Sequence, residues 1–218
     1  MMLQLDFDGS DFIGVYGRIS DSYGVFGPRV PDSGISELEE ALGIKVVKTT
    51  IAYVNVIGSM LAMNSNGLFV NRFINAVEEE ALRGLGLNMG YTSLNMNAAG
   101  NIVLVNDRRA LVHPSVTKSA VKEMEDVFGV EVVSEDTGFR NVGMAFALTN
   151  KGLLCHPDAT DETVKRLEDL FGVKGTWGTV NHGMPFVGCG LVCNSKGVVI
   201  GKRTTRIEMT RIQDALES

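Results

Sequence analysis

Six side chains in this sequence are of the types that do nucleophilic, acid–base or metal chemistry near neutral pH: His113, His156, His182, Cys155, Cys189 and Cys193. His182 stands seven residues from Cys189, the separation of a conceivable Cys–His pair in which the imidazole takes the thiol proton. No basic neighbour or helix start near that cysteine is available to lower its pKa. Cys189-x-x-x-Cys193 is one isolated pair, where a zinc site needs a second pair of ligands, so neither a metal nor another cofactor is expected. His113 and His156 stand in the same context, before Pro114 in ALVHP and before Pro157 in LLCHP. One active site needs one such histidine, so a duplicated one reads as structural.

That duplication belongs to a longer pattern. Asn101–Val133 reads strand, turn, strand, Pro, helix, Gly, strand, and the unit returns at Met144–Gly175 with an offset of 43 residues. Glycines recur in register at Gly43, Gly86, Gly129 and Gly172, and the turn position runs Asp21, Asn64, Asp107, Asn150, Cys193. Asp and Asn suit such turns because their side chains bond local backbone. The helices repeat an i, i+3, i+6, i+7 apolar stripe: Ile35, Leu38, Ala41, Leu42, then Val121, Met124, Val127, Phe128, then Val164, Leu167, Leu170, Phe171. The fifth copy shows it two residues late, as Met209, Ile212, Ala215, Leu216, and in the second Glu78 and Gly84 break the stripe that Ala81 and Leu85 keep. In this register Cys155 aligns with Val112, Phe69 and Phe26, and Cys189 with Phe146, Val103 and Met60. Both are core strand positions, where a free cysteine behaves as a small hydrophobe.

Five such periods fill nearly all of the 218 residues. The expected architecture is one α/β domain of five β-β-α-β repeats, at about 11–52, 53–95, 96–138, 139–181 and 182–218. The fifth copy stops after its helix, while residues 2–7 sit one period before the last strand of the first copy. The N-terminal strand is therefore expected to complete repeat five and close the copies into a ring, leaving no terminal repeat to cap. Ser36-x-x-Glu39 and Asn75-x-x-Glu78 read as helix caps. Gly84-Leu-Gly86-Leu-Asn-Met-Gly90 follows a helix instead of opening one, so it reads as a helix stop and not a phosphate loop. The pairs Glu39-Glu40, Glu125-Asp126 and Glu168-Asp169 read as solvated outer faces. Arg108-Arg109 and Lys202-Arg203 are short basic spots of the ordinary surface kind.

Composition narrows the partners. A net charge of −6 argues against broad binding to a phosphate backbone and admits a basic protein partner. No apolar run approaches the roughly 20 residues that span a bilayer. The first residues carry Asp6 and Asp8 where a secretory leader is basic and then apolar. Three cysteines, an odd number, suit a reducing cytoplasm.

Ala110-Leu-Val-His-Pro114, Gly152-Leu-Leu-Cys-His-Pro157 and Gly178-Thr-Val-Asn-His-Gly183, in this order and spacing, resemble the translation initiation factor six family. The resemblance covers essentially the whole chain, and the lack of the C-terminal tail of eukaryotic members makes it similar to the archaeal ones. It implies the pentein fold, five quasi-identical α/β subdomains around a pseudo-fivefold axis. It implies an anti-association factor, not an enzyme, that binds the large ribosomal subunit at its intersubunit face and keeps the small subunit off. A role in large-subunit biogenesis goes with it. The implied partner is a ribosomal protein of the L14 type near the sarcin–ricin loop, bound by a cytoplasmic monomer without membrane or DNA. The implied docking residues are Ser59, Asn64, Gly100, Asn101 and Phe186, with Asn101 foremost, and the 43-residue step adds Met144 by making Gly58, Asn101, Met144 and Val187 equivalent at the starts of the first strands; the basic residues of eukaryotic members near Ser59 and Ser65 are absent. The same fold houses guanidine-modifying enzymes, the competing reading, which here would need His182 with Cys189 or Cys193.

Overall fold

The structure is a computed structural model that describes residues 1–93 and 96–216. The expected end of the second repeat, at residue 95, lies outside the described residues. Each of the first four repeats opens with a one-turn helix, then makes two antiparallel strands, a longer helix and a final strand parallel to the second, and the fifth ends at its longer helix. The first is α1 (Ile13–Tyr16), β2 (Gly17–Ile19), β3 (Tyr23–Phe26), α2 (Asp32–Leu42) and β4 (Lys45–Lys48). The second is α3 (Ile57–Met60), β5 (Leu61–Met63), β6 (Gly67–Val70), α4 (Ala76–Arg83) and β7 (Asn88–Tyr91). The third is α5 (Ala99–Ile102), β8 (Val103–Val105), β9 (Arg109–Val112), α6 (Lys118–Phe128) and β10 (Glu131–Ser134). The fourth is α7 (Val142–Ala145), β11 (Ala147–Leu148), β12 (Gly152–Cys155), α8 (Asp161–Phe171) and β13 (Lys174–Trp177). The fifth is α9 (Val187–Gly190), β14 (Leu191–Asn194), β15 (Gly197–Gly201) and α10 (Arg206–Leu216). The strand β1 (Met2–Leu5) pairs in parallel with β15, Met2 opposite Val198 and Leu5 opposite Gly201.

Local chemistry sets the element ends. Thr117, Thr160 and Thr205 accept backbone N–H groups at the starts of α6, α8 and α10. Gly43, Gly129 and Gly172 end α2, α6 and α8 in the left-handed region, at φ 59°, 66° and 64°. The capping box expected at Ser36 does not form, because α2 begins at Asp32 and the Ser36 hydroxyl donates to Asp32 O instead. Glu39, on the next turn, accepts the Val46 N–H at 2.8 Å, and Glu125 and Glu168 do the same for Val132 and Gly175. The first member of each acidic pair therefore satisfies an outward N–H of a sheet's edge strand, more than a solvated face requires.

There is no single core. The described residues form five apolar clusters, each shared by neighbouring repeats. Val25 and Ile51 pack with Leu68 and Leu82, and Leu104 and Leu111 with Phe146 and Leu167. Leu5, Phe7 and Phe26 pack with Val192 and Val199 of the fifth repeat. An amphipathic helix thus covers the sheet of the repeat before it, which is how the chain exceeds the size one core sustains. The second helix's stripe runs Glu78, Leu82, Leu85, with Ala81 only half-buried.

Candidate docking face

The hairpins run away from the one-turn helices and back. β5 leaves α3 at Leu61, and β6 returns so that Val70 lies opposite Leu61. The one-turn helices, the connections after the third strands and the starts of the long helices therefore share one end of the molecule. The hairpin turns share the other.

At the first end, the second residue of every one-turn helix is a glycine: Gly14, Gly58, Gly100, Gly143 and Gly188. An added methyl would fall 1.7 Å from Gly14 O at Gly58, 1.9 Å from Gly58 O at Gly100 and 2.1 Å from Gly100 O at Gly143. It would fall 2.5 Å from Gly143 O at Gly188 and 2.0 Å from Gly188 O at Gly14. Backbone packs directly on backbone about a common axis, and no side chain fits. A fixed 43-residue step instead pairs Gly58 with Asn101, Met144 and Val187 as strand starts. The axial glycines are spaced unevenly, and those residues lie in one-turn helices and not in strands.

The residues just before three of these helices, Phe12, Val56 and Phe186, are 41 %, 36 % and 39 % exposed. Those just after the axial glycines are Val15, Ser59, Asn101, Met144 and Cys189. Ser59 and Asn101 are half-buried, and Asn101 Oδ1 is sealed from solvent without a hydrogen-bond partner. Met144 is buried, with its sulfur 3.4 Å from Cys189 Sγ, and Gly100 is buried at the axis. Phe186 stands edge-on to His156, centroids 5.0 Å apart, and Phe139 flanks the same imidazole at 4.8 Å. Five of the six expected docking residues thus share one end.

Asn64 is at the other end and buried. Its amide donates to Asn106 O and Phe128 O, and its Oδ1 accepts the N–H groups of Asn66 and Gly67. Ser20, Asn106, Thr149 and Asn194 hold their turns in the same way. The true recurring turn residue is therefore one place earlier than Asp21, Asp107 and Asn150, and one later than Cys193, which lies in β14. Asn66, Arg108 and Lys196 reach Phe128 O, Gly172 O and Gly43 O at the ends of neighbouring helices.

Two buried glutamates organise the end that carries the one-turn helices. Glu78 accepts from the Thr50 hydroxyl at 2.5 Å and from the N–H groups of Ala52, Tyr53 and Asn75 at 3.0, 2.9 and 3.0 Å. Glu208 accepts from the hydroxyls of Thr179 and Thr205 and from the N–H groups of His182, Gly183 and Thr205, at 2.7 to 3.1 Å. Each carboxylate pins a tight loop whose non-glycine residues have positive φ: Ala52 and Tyr53 at 52° and 64°, Asn181 and His182 at 54° and 65°. Burial opposes ionisation, yet the donors win. Glu78 is held below the usual range, and Glu208 falls to about 2. The first loop presents Tyr53, 77 % exposed, beside Val77. The broken stripe at Glu78, within Asn75-x-x-Glu78, was the sequence signal for this clasp. The matching Thr205-x-x-Glu208 carries no such mark, because the fifth stripe is displaced.

The chemical candidates have other occupations. His113 Nδ1 accepts the Ser115 N–H and His156 Nδ1 the Asp158 N–H, so both close the turn after their proline. Burial lowers the His156 pKa. Burial pushes the Cys155 and Cys193 thiols up to about 12 and also raises Cys189, the wrong direction for a nucleophile. No group of three or more His, Cys, Asp or Glu suited to a metal occurs among the described residues. No described helix is long and apolar enough to cross a membrane.

Five three-stranded sheets, each with its helix packed against a neighbour, define a pentein-like α/β repeat protein. A solved structure of C. jejuni agmatine deiminase shows a slight likeness, TM-score 0.39 at 11 % identity over 60 % of this chain and 51 % of that one. The eIF-6 family model matches residues 2–215. Translation initiation factor 6 of Methanocella arvoryzae is 43 % identical over 99 % of this chain and 98 % of its own. That of Haloquadratum walsbyi is 37 % identical, covering 99 % and 96 %. The chain belongs to the eIF-6 family. Its role lies in translation initiation.

Proposed function

We propose that this chain binds the large ribosomal subunit at its intersubunit face and sterically prevents the small subunit from joining. The observation that carries this reading is the end face itself. Phe12, Val56 and Phe186 stand exposed around an axis where backbone packs on backbone. Such a face is preformed, so little order is lost on docking. The five repeats act as one domain and one ring, a reading supported by the packing of the first repeat on the fifth. The docking surface is the end that carries Ser59, Gly100, Asn101, Met144 and Phe186, where Ser59 and Asn101 are half-buried and Phe186 is exposed. Asn64, spent on its own turn, lies outside that surface. The partner is a ribosomal protein of the L14 type near the sarcin–ricin loop, and the acidic chain suits protein better than bare RNA. The factor works as a cytoplasmic monomer, makes and breaks no bond, and also serves large-subunit biogenesis.

Co-sedimentation with purified large and small subunits tests this. Binding is expected to the large subunit alone, with loss of subunit joining. Asn101→Arg and Phe186→Asp should each weaken binding by about tenfold or more, the scale of an interface anchor, with the melting temperature of Asn101→Arg nearly unchanged. Equal binding to both subunits, or unaltered binding by both variants, refutes the docking face. Binding to neither subunit sinks the reading and returns attention to guanidine chemistry at the cysteines.

A further inference from the structure

Exposed apolar side chains gather at one place. Of the nine large apolar residues that stand exposed among the described ones, five are Tyr53, Val54, Val56, Phe73 and Val77. They occupy the connection from β4 to α3, the turn before α4 and the first turn of α4, all at the end that carries the one-turn helices. Tyr53 and Val77, 77 % and 76 % exposed, flank an open cleft of about 480 Å³ whose other lining is Thr49, Thr50, Asn75, Ala76 and Glu78. Glu78 is the one charged residue of this lining, and the Thr50 hydroxyl and the N–H groups of Ala52, Tyr53 and Asn75 occupy its oxygens. A phosphate would meet no cation in the cleft, and a lysine no free carboxylate.

The loop itself has no need of a tyrosine. Phe7–Ser10 and Ile51–Val54 close by the same isolated antiparallel bridge across two residues. The second of those two is Gly9 in the first loop, at φ 82°, and Tyr53 in the other, at φ 64°. A methyl added at Gly9 would meet nothing within 4 Å, so such a tip points into open space. Glycine enters left-handed backbone freely, and a bulky residue there is strained. At Tyr53 the strained conformation is held by Glu78, a buried carboxylate committed to the Ala52 and Tyr53 N–H groups. The fold thus bears a cost to present an aromatic ring to solvent, and strain of this kind gathers at binding clamps. We propose that the Tyr53–Val77 cleft is an anchor of the docking surface, and that its occupant is an uncharged apolar side chain of the large-subunit protein partner. The proposal rests on the docking reading above and gives it a specific contact. The cleft lies at the same end as Phe12, Val56 and Phe186, so one partner surface can cover both. A tyrosine ring suits an interface anchor, because it is rigid and buries much area for little lost freedom. The uncharged lining selects a protein side chain over an RNA backbone.

Titration against purified large subunits by co-sedimentation, with a thermal melt of each protein, decides it. Tyr53→Gly and Val77→Asp should each bind about tenfold or more weaker than the natural chain. Tyr53→Gly should melt within about 2 °C of the natural chain, because it gives the tip the residue that the Phe7–Ser10 loop already has. The loss in Tyr53→Gly should be the same at low and high salt, since no ionic contact is removed. A loss that vanishes at high salt overturns the apolar occupant. If the natural chain binds and either variant binds as tightly, the cleft is refuted while the docking reading stands. A Tyr53→Gly chain that melts lower by about 5 °C or more makes Tyr53 a part of the fold and overturns its role as an anchor. If the natural chain does not bind the large subunit, the docking reading fails and the cleft fails with it.

Discussion

Replacing Glu208 with glutamine tests the clasp at the end that carries the one-turn helices. Its two oxygens accept five hydrogen bonds, from Thr179, His182, Gly183 and twice from Thr205. Glutamine has one acceptor oxygen, so its NH2 group must face at least two of those donors. A carboxyl held at about 2 against an ordinary 4.5 corresponds to about 3 kcal/mol of stability. Glu208 is 6 % exposed, so solvent screens little of this. The folded-state pKa is depressed, so the contribution is complete above pH 4.5 and fades as pH falls toward 2. Glu208→Gln should therefore be less stable by about 3 kcal/mol at pH 7, a drop of about 6–12 °C in melting temperature for a chain this size. The gap to the natural chain should narrow steadily between pH 4.5 and 2. The assay is chemical or thermal unfolding at stepped pH, with both proteins in one buffer series. A variant within about 0.5 kcal/mol of the natural chain at pH 7, the noise of an ordinary surface change, refutes the clasp. A gap as wide near pH 2 as at pH 7 refutes its electrostatic origin.

Removing residues 1–7 should abolish stable folding. It strips β1 from β15 and takes Leu5 and Phe7 from the shared cluster, and two such side chains contribute about 3–6 kcal/mol before the ladder is counted. An unfolding curve like that of the full chain would show that the first and fifth repeats do not depend on β1. Iodoacetamide at pH 7 should modify the fully buried Cys155 only at the rate of global unfolding, and the partly accessible Cys193 slowly, since burial holds both thiols up to about 12. Rapid alkylation of either in the folded protein, followed by mass spectrometry, would revive a nucleophilic role.

The repeat was legible because each copy must solve the same local problem with the same residue types. Glycines end α2, α6 and α8 where a left-handed residue is needed, and Asn or a hydroxyl residue closes each turn. The buried stripes of α2, α6 and α8 follow from the need of a short helix to cover a sheet. The structural reading of His113 and His156 also came from the register alone. The end proposed to dock was less legible. Its one-turn helices are too short to carry a periodic signal, and uneven spacing of the axial glycines displaces a fixed 43-residue register. Asn64 and Asn101 look alike in sequence, as asparagines beside glycine or serine, yet one is buried in a turn and the other lies next to the axis.

The sequence by itself determined the local geometry: five copies of one unit, their caps and turns, the apolar faces and the family. Those depend on residues within a few places of each other. Only the tertiary structure decided what each copy faces. It set Gly58 against Gly14 and Gly100 against Gly58, and aimed Arg18 into the axis without a counter-charge. It also made Glu78, a break in its stripe, and Glu208, which no stripe marks, into anchors for loops about 25 residues away. Those contacts join residues far apart in the chain, and no local spacing records them.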